Sequence, residues 1–247
     1  MPSTPLRIAV APPFAFQGDY AALDRDRNSW VRDFAGVMIQ DARFQGTVLD
    51  IGCQGGAAQQ AFRDVVNRAA QLDGVDPNPK VMENADLTRK WCGEFECLEL
   101  PENAYDATAC FQVTEHIARP REFFEQVFHV LKPGGVFYST APHSLHPFAA
   151  AVLLLDKTRI KYLLSAHDEL INDIPTYYRM NSRRTVLRHL QGIGFASVEF
   201  FLTPCVQWDT YFPKALRFLP HIYDRVLGAR VHSMSQMLMV KLEKPAA

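Results

Sequence analysis

Two acids and a run of small residues carry the first chemical suggestion. The stretch TVLDIGCQGG, Thr47–Gly56, is apolar through Val48 and Leu49, reaches Asp50, and then places Gly52, Gly55 and Gly56 in the next turn. Glycines just beyond a strand let backbone approach a ligand closely. A carboxylate in that turn would repel a pyrophosphate, whereas a ligand carrying an ammonium and a sulfonium would be attracted. A second acid, Asp76, ends the next apolar segment, LDGVD. A carboxylate there can accept hydrogen bonds from two ribose hydroxyls.

These residues need a sheet whose strands end on one side. Strand signals at 47–52, 72–76, 95–100, 105–111 and 136–140 alternate with helix signals. The helix over 55–70 carries Ala57, Ala61, Phe62 and Val65 on one side. The next, near 80–92, is opened by Pro79, which suits a first helical turn. The helix over 119–131 presents Phe123, Phe124, Val127 and Val130 as its core face. Lys132-Pro133-Gly134-Gly135 is a turn that stops it. A helix near 182–192 and strands near 196–202 and 236–242 complete the pattern. Alternation of this kind predicts βαβ units and a parallel sheet, with ligands outside the carboxyl ends of its strands.

Two segments break the rhythm, 143–181 and 205–233. They follow the fifth and sixth strands and are expected to form a substrate cap over the sheet; the second is rich in aromatics, with Trp208, Tyr211, Phe212, Phe218 and Tyr223. Residues 1–30 form an N-terminal arm, whose Tyr20 and Trp30 either close over the ligand or dock on the sheet. The whole of 1–247 is expected to be one domain.

Bulk properties exclude several classes. The chain of 247 residues is 48% hydrophobic with a net charge of −1, so no global field draws nucleic acid or membrane. Its five cysteines form no CxxC pair, which argues against a zinc ribbon and for reduced thiols in the cytoplasm. The N-terminal apolar run is broken by Pro12 and Pro13 and is too short for a signal peptide. The longest apolar run, FAAAVLLL at Phe148–Leu155, is too short to span a bilayer, so no stable membrane insertion is expected.

The segments VLDIGCQGG, GVDPNP, ECLELP, YDATACFQVTEHI and LKPGGVFYSTAP occur in this order. Together they resemble the motif series of class I S-adenosylmethionine (SAM)-dependent methyltransferases over roughly residues 30–142, and more weakly through the last two strands. The resemblance implies an α/β, Rossmann-like, doubly wound, seven-stranded mixed sheet with helices on both faces. Its last two strands would form an antiparallel unit at one edge. The cofactor would be SAM and the product S-adenosylhomocysteine. Asp50 would lie near the methionine end with Gly52 beneath it, and Cys53 and Gln54 in the same loop. Asp76 would hold the ribose, and Pro77 and Asn78 would flank the adenine. Glu96 would accept from the adenine amino group, Cys97 would meet the ring through its amide, and Gln112 would meet the amino-acid part. The family loop usually reads D-x-G-x-G-x-G. Gln54 replaces its middle glycine, at a position that often needs an unusual backbone angle, so strain is expected there.

Other residues have two readings each. Glu115 and His116 follow the fourth strand, beside the transferred methyl group in this family. His116 can take a proton from an attacking hydroxyl, or simply support the loop. His143 and His146 are the next candidates, lining the cap. With His167, Asp168 and Glu169 they satisfy only one helical metal-ligand spacing, so no metal is expected. In IPTYYRMNS, Tyr177, Tyr178 and Arg179 either orient substrate or pack under the cap. Arg183, Arg184 and Arg188 read as a solvated helix face.

The leading function is methyl transfer to a small organic molecule, O-methylation first, by in-line displacement. A non-catalytic SAM-binding protein is the alternative suggested by Gln54. Nucleic-acid methylation is disfavoured, because FQVTEHI stands where an Asn- or Asp-Pro-Pro-aromatic motif would be and no basic face is evident. An NAD-dependent oxidoreductase would need G-x-G-x-x-G, which Gly52-Cys53-Gln54 breaks.

Overall fold

The alternating side-chain directions of strand β2 (Thr47–Ile51) set the two faces of the sheet. Val48 points to one side, and Leu49 and Ile51 to the other. In a computed structural model, residues 5–11, 29–54, 60–147, 149, 175–203, 218–223, 226 and 237–247 are described. Among them eight strands form one sheet. The others are β1 (Arg7–Val10), β3 (Gln71–Asp76), β4 (Lys90–Cys92), β5 (Tyr105–Phe111), β6 (Leu131–Pro142), β7 (Ser197–Thr203) and β8 (Met237–Glu243). Their order is β1-β7-β8-β6-β5-β2-β3-β4. Among these strands only β8 runs against its neighbours, β6 and β7.

Helices cover both faces. On the Val48 side, α1 (Ser29–Ile39) and α2 (Gln60–Val66) bury Trp30, Phe34, Met38, Phe62 and Val65. On the Leu49 side, α3 (Pro120–Val130) and α4 (Arg183–Leu190) bury Phe123, Phe124, Val127, Val186 and Leu190. Phe123 is fully buried, with its ring edge-on to Phe95, Phe124 and Phe137 at centroid distances of 5.2, 5.8 and 5.9 Å. Burial of one such side chain contributes about 1.5–3 kcal/mol. Ser182 and Thr185 form a reciprocal capping box that fixes the start of α4. A short helix, α5 (Phe218–Tyr223), stands apart from these layers in sequence.

Several sequence expectations are corrected. The sheet has eight strands rather than seven, because Arg7–Val10 of the N-terminal arm docks in parallel on β7 and covers that edge. Trp30 lies in the first turn of α1 and is 2% exposed, against Phe34 and Phe62, so it belongs to the core. Tyr20 lies outside the described residues. The third motif strand is Lys90–Cys92, not 95–100. Phe95–Cys97 is a single turn of 3-10 helix, and the helix expected near 80–92 is only Pro79–Glu83. The cause is local: Asn84 accepts the amide of Asp86 and turns the chain after one helical turn, letting Arg89 reach buried Asp73. Most of the two expected cap segments also lies outside the described residues.

Candidate active site

Strands β2 and β3 deliver the two acids to one end of the sheet. By strand parity Asp50 shares the face of Val48, the side on which α2 brings Arg63. Burial pushes the Asp50 carboxyl up to about 7. Arg63 pulls it down, and neighbouring Asp76 raises it further. Asp76 is 8% exposed and ordered by backbone donors on both oxygens: Gln54 N–H reaches Oδ2 at 3.0 Å, and Asn78 N–H reaches Oδ1 at 2.8 Å.

The turn between them is built by close approach. Gly52 adopts φ +79°, and a Cβ there would stand 2.2 Å from Val113 Cγ2. Cys53 turns its thiol down against Gly74, whose own Cβ would lie 2.8 Å from that sulfur. Burial, with Asp50 and Asp76 nearby, pushes the Cys53 thiol up to about 12, so it is a packed, protonated group. Gln54 does not adopt a positive φ; the strain expected there is absent. Among the described non-glycine residues the left-handed region is instead occupied at Asn103, Gln112 and Tyr178 (φ 51°, 53° and 51°), and the Gln112 amide donates to Thr140 O at 2.7 Å where β5 ends.

Directly after β3, Pro77 and Asn78 are exposed, and Asn78 Oδ1 caps the following turn by accepting Lys80 N–H. The Glu96 side chain is 4% exposed, with its Oε1 3.8 Å from Arg119 Nε. Burial raises its carboxyl, with Arg119 opposing. Arg119 also contacts Glu94 and the Cys97 thiol, so this stretch is tied together by one guanidinium.

Beyond β5 a 3-10 turn, Thr114–His116, buries Glu115 and presents His116. The Glu115 carboxyl is pushed up to about 7 by burial, and its Oε2 has no hydrogen-bond partner among the described residues. His116 Nδ1 lies 2.9 Å from Pro175 O. A carbonyl only accepts, so Nδ1 carries the hydrogen and Nε2 is the basic atom of the neutral ring. The same strap, 175–181, is sewn to the turn by Tyr177 and Tyr178 amides donating to Glu115 O at 2.7 and 3.1 Å. Tyr178 is buried. Tyr177 and Arg179 pair at the surface, with the guanidinium 5.1 Å from the ring centroid and donating to Ala118 O.

His143 and His146 are buried after β6, and His146 N–H donates to His143 O at 3.0 Å. The His146 ring meets Tyr223 of α5 edge-on at 5.0 Å, joining parts of the two interrupting segments. Among the described residues no three His, Cys, Asp or Glu side chains form a metal-binding group.

A family described as "Methyltransferase domain" matches residues 49–139, the stretch that contains both acids and the post-β5 turn. A ubiquinone biosynthesis O-methyltransferase of Burkholderia thailandensis is 26% identical over 181 residues, covering 69% of this chain and 71% of that one. Its Chromobacterium violaceum counterpart is 31% identical over 163 residues, covering 62% and 66%. The chain belongs to the class I SAM-dependent methyltransferases. A SAM-dependent methyltransferase of Archaeoglobus fulgidus shares the fold, with a TM-score of 0.55 at 15% identity over 93% of this chain and 96% of that one.

The methyltransferase site fits its cofactor by the chemistry of its donors. Burial and Asp76 raise the Asp50 carboxyl more than Arg63 lowers it, so a further positive charge would be favourable there, which suits the cationic methionine end. Asp76 has both oxygens pre-oriented, with lone pairs left for a diol. Gly52 supplies the space. Sequence reasoning missed Arg63, whose effect on Asp50 comes through folding alone, and Asn181. Asn181 had one legible signal: it stands directly before the Ser-x-x-Thr box that starts a helix.

Proposed function

We propose that this methyltransferase methylates a hydroxyl of a small organic molecule, with His116 as the proton acceptor. When bound, the cofactor supplies an electrophilic methyl group on sulfur. The protein aligns the nucleophile and excludes water. Asp50 and Asp76 hold the cofactor's charged and ribose ends, and the Gly52 turn lets it approach the backbone. The strap 175–181 orders the turn on which His116 stands.

The observation that carries the reading is the bond from His116 Nδ1–H to Pro175 O, which fixes the tautomer and leaves Nε2 as the base. The relatives named as O-methyltransferases support oxygen as the nucleophile. The buried His143 and His146 and the contact of His146 with Tyr223 support a cap made from the two interrupting segments. In a test with radiolabelled SAM and a panel of phenols, His116→Ala should lower turnover about 10²–10⁴-fold while leaving SAM affinity unchanged. An unaltered rate would assign His116 to loop support.

A further inference from the structure

Strands β5 and β6 end on either side of Asn181, a fully buried residue. Its backbone is held by Ser144 N–H, which donates to Asn181 O at 2.8 Å, and by the capping box that begins at the next residue. The carboxamide nitrogen bridges the two strand exits, donating to Thr114 Oγ1 at 3.4 Å and to Pro142 O at 3.3 Å. Because Pro142 O only accepts, Nδ2 must face it, and the amide cannot be turned over without losing that bond. Oδ1 is thereby directed away from both partners. It is buried and has no hydrogen-bond partner among the described residues.

Buried acceptors are nearly always satisfied, so an unsatisfied one calls for an explanation. Glu115 Oε2, one residue from Thr114, is a second buried oxygen without a described partner. Thr108 Oγ1, Thr140 Oγ1, Trp30 Nε1 and His189 Nε2 also lack one, but they belong to strands or helices inside the layers. Glu115 and Asn181 stand outside regular strands and α-helices, at the carboxyl ends of parallel strands, where ligands of such sheets bind. Two unpaired buried oxygens lie at that place, and the carboxamide oxygen of Asn181, which can only accept, calls for a ligand that brings hydrogen.

We propose that Asn181 positions the methyl acceptor, its carboxamide oxygen receiving a hydroxyl or amine hydrogen of the substrate between the exits of β5 and β6. This rests on the reading of the site as a small-molecule site. The substrate class is accordingly one that carries a hydrogen-bond donor in addition to an apolar body. A hydrocarbon-like or fully O-alkylated molecule would leave Oδ1 buried and unpaired, and such a site rejects it. The ammonium of the cofactor is the other conceivable source of hydrogen, and the experiment separates the two.

The full chain, saturated with S-adenosylhomocysteine, is titrated with phenol, aniline and toluene, and binding is followed by ligand-detected NMR. Phenol and aniline should bind about 3–10-fold more tightly than toluene, the range of one net hydrogen bond. In Asn181→Leu this preference should fall to about one, with affinity for S-adenosylhomocysteine unchanged. Asn181→Asp keeps the acceptor but loses the bridge to Thr114 and Pro142. It should retain the preference, and it carries the test if the leucine variant does not fold. Absence of a donor preference in the native protein, its persistence in Asn181→Leu, or its loss in Asn181→Asp would overturn the proposal. So would weakened S-adenosylhomocysteine binding in Asn181→Leu, which would assign Oδ1 to the cofactor. No turnover is read, so the result is independent of the base assigned to His116.

Discussion

Gln54 and Asp76 are joined by a 3.0 Å hydrogen bond from the Gln54 amide to Asp76 Oδ2. The loop after β2 and the acid that ends β3 are therefore one unit. The residue that departs from the family's glycine pattern contributes through its backbone, in a conformation any residue can adopt.

Glycine therefore has nothing to relieve at this position. Gln54→Gly should leave SAM affinity within about twofold and lower stability slightly, by about 0.5–1 kcal/mol, through added freedom of the unfolded chain. Calorimetry and urea titration check both values. A marked gain in either would show that Gln54 is strained.

Asp76 should be the main determinant of cofactor affinity. Asp76→Ala removes charge-assisted hydrogen bonds worth about 1.5–3 kcal/mol, so the Kd for SAM should rise about 10–150-fold. Isothermal titration reads this directly, and an unchanged Kd would remove Asp76 from the site.

Asp50 makes stability depend on pH in an unusual sense. Folded, it keeps its proton up to about pH 7, whereas its ordinary value is 3.8. Between these values the folded state binds more protons than the unfolded one, so stability falls as pH rises through the window and stays lower above it. Glu115, raised from 4.5 to about 7, adds in the same direction. Carboxyls held low by cations, such as Asp41 beside Arg43, act at lower pH, where their contribution is lost as pH falls. Urea midpoints should therefore be lower at pH 8 than at pH 5, and Asp50→Asn should narrow the gap.

The same group should couple cofactor binding to proton release. A cationic ligand beside Asp50 lowers its pKa, so SAM binding at about pH 6 should expel a proton, and affinity should rise with pH up to about 7. Calorimetry in two buffers of different ionisation enthalpy measures the proton. Its absence would place the cation away from Asp50.

Gly52 is needed for two reasons that can be separated. Gly52→Ala meets both the φ of +79° and the contact with Val113. It should destabilise the protein by about 1–3 kcal/mol and weaken SAM binding. Adding Val113→Ala removes the contact but not the backbone angle. The double variant should be less destabilised than the sum of the singles by about 0.5 kcal/mol or more. Strict additivity would mean that the turn does not touch Val113.

Much of this protein was legible in its sequence, because strand parity and strand ends are local properties. The alternation of β2 and the acids ending β2 and β3 were readable from apolar runs and the residues that stop them. So was the helix carrying Phe123 and Phe124. Residues whose roles depend on partners far along the chain were not readable. The edge strand Arg7–Val10 has no pattern that names β7 as its neighbour, and Lys90–Cys92 is too short to show a period. Nothing in Gln54 says that its φ is ordinary while that of Gln112 is not, since backbone angles there are imposed by the bonds to Asp76 and Thr140. His116 was visible as a base by its type. Its tautomer was decided by a carbonyl 59 residues away, and the unpaired oxygen of Asn181 by two strand exits that only the folded sheet brings together.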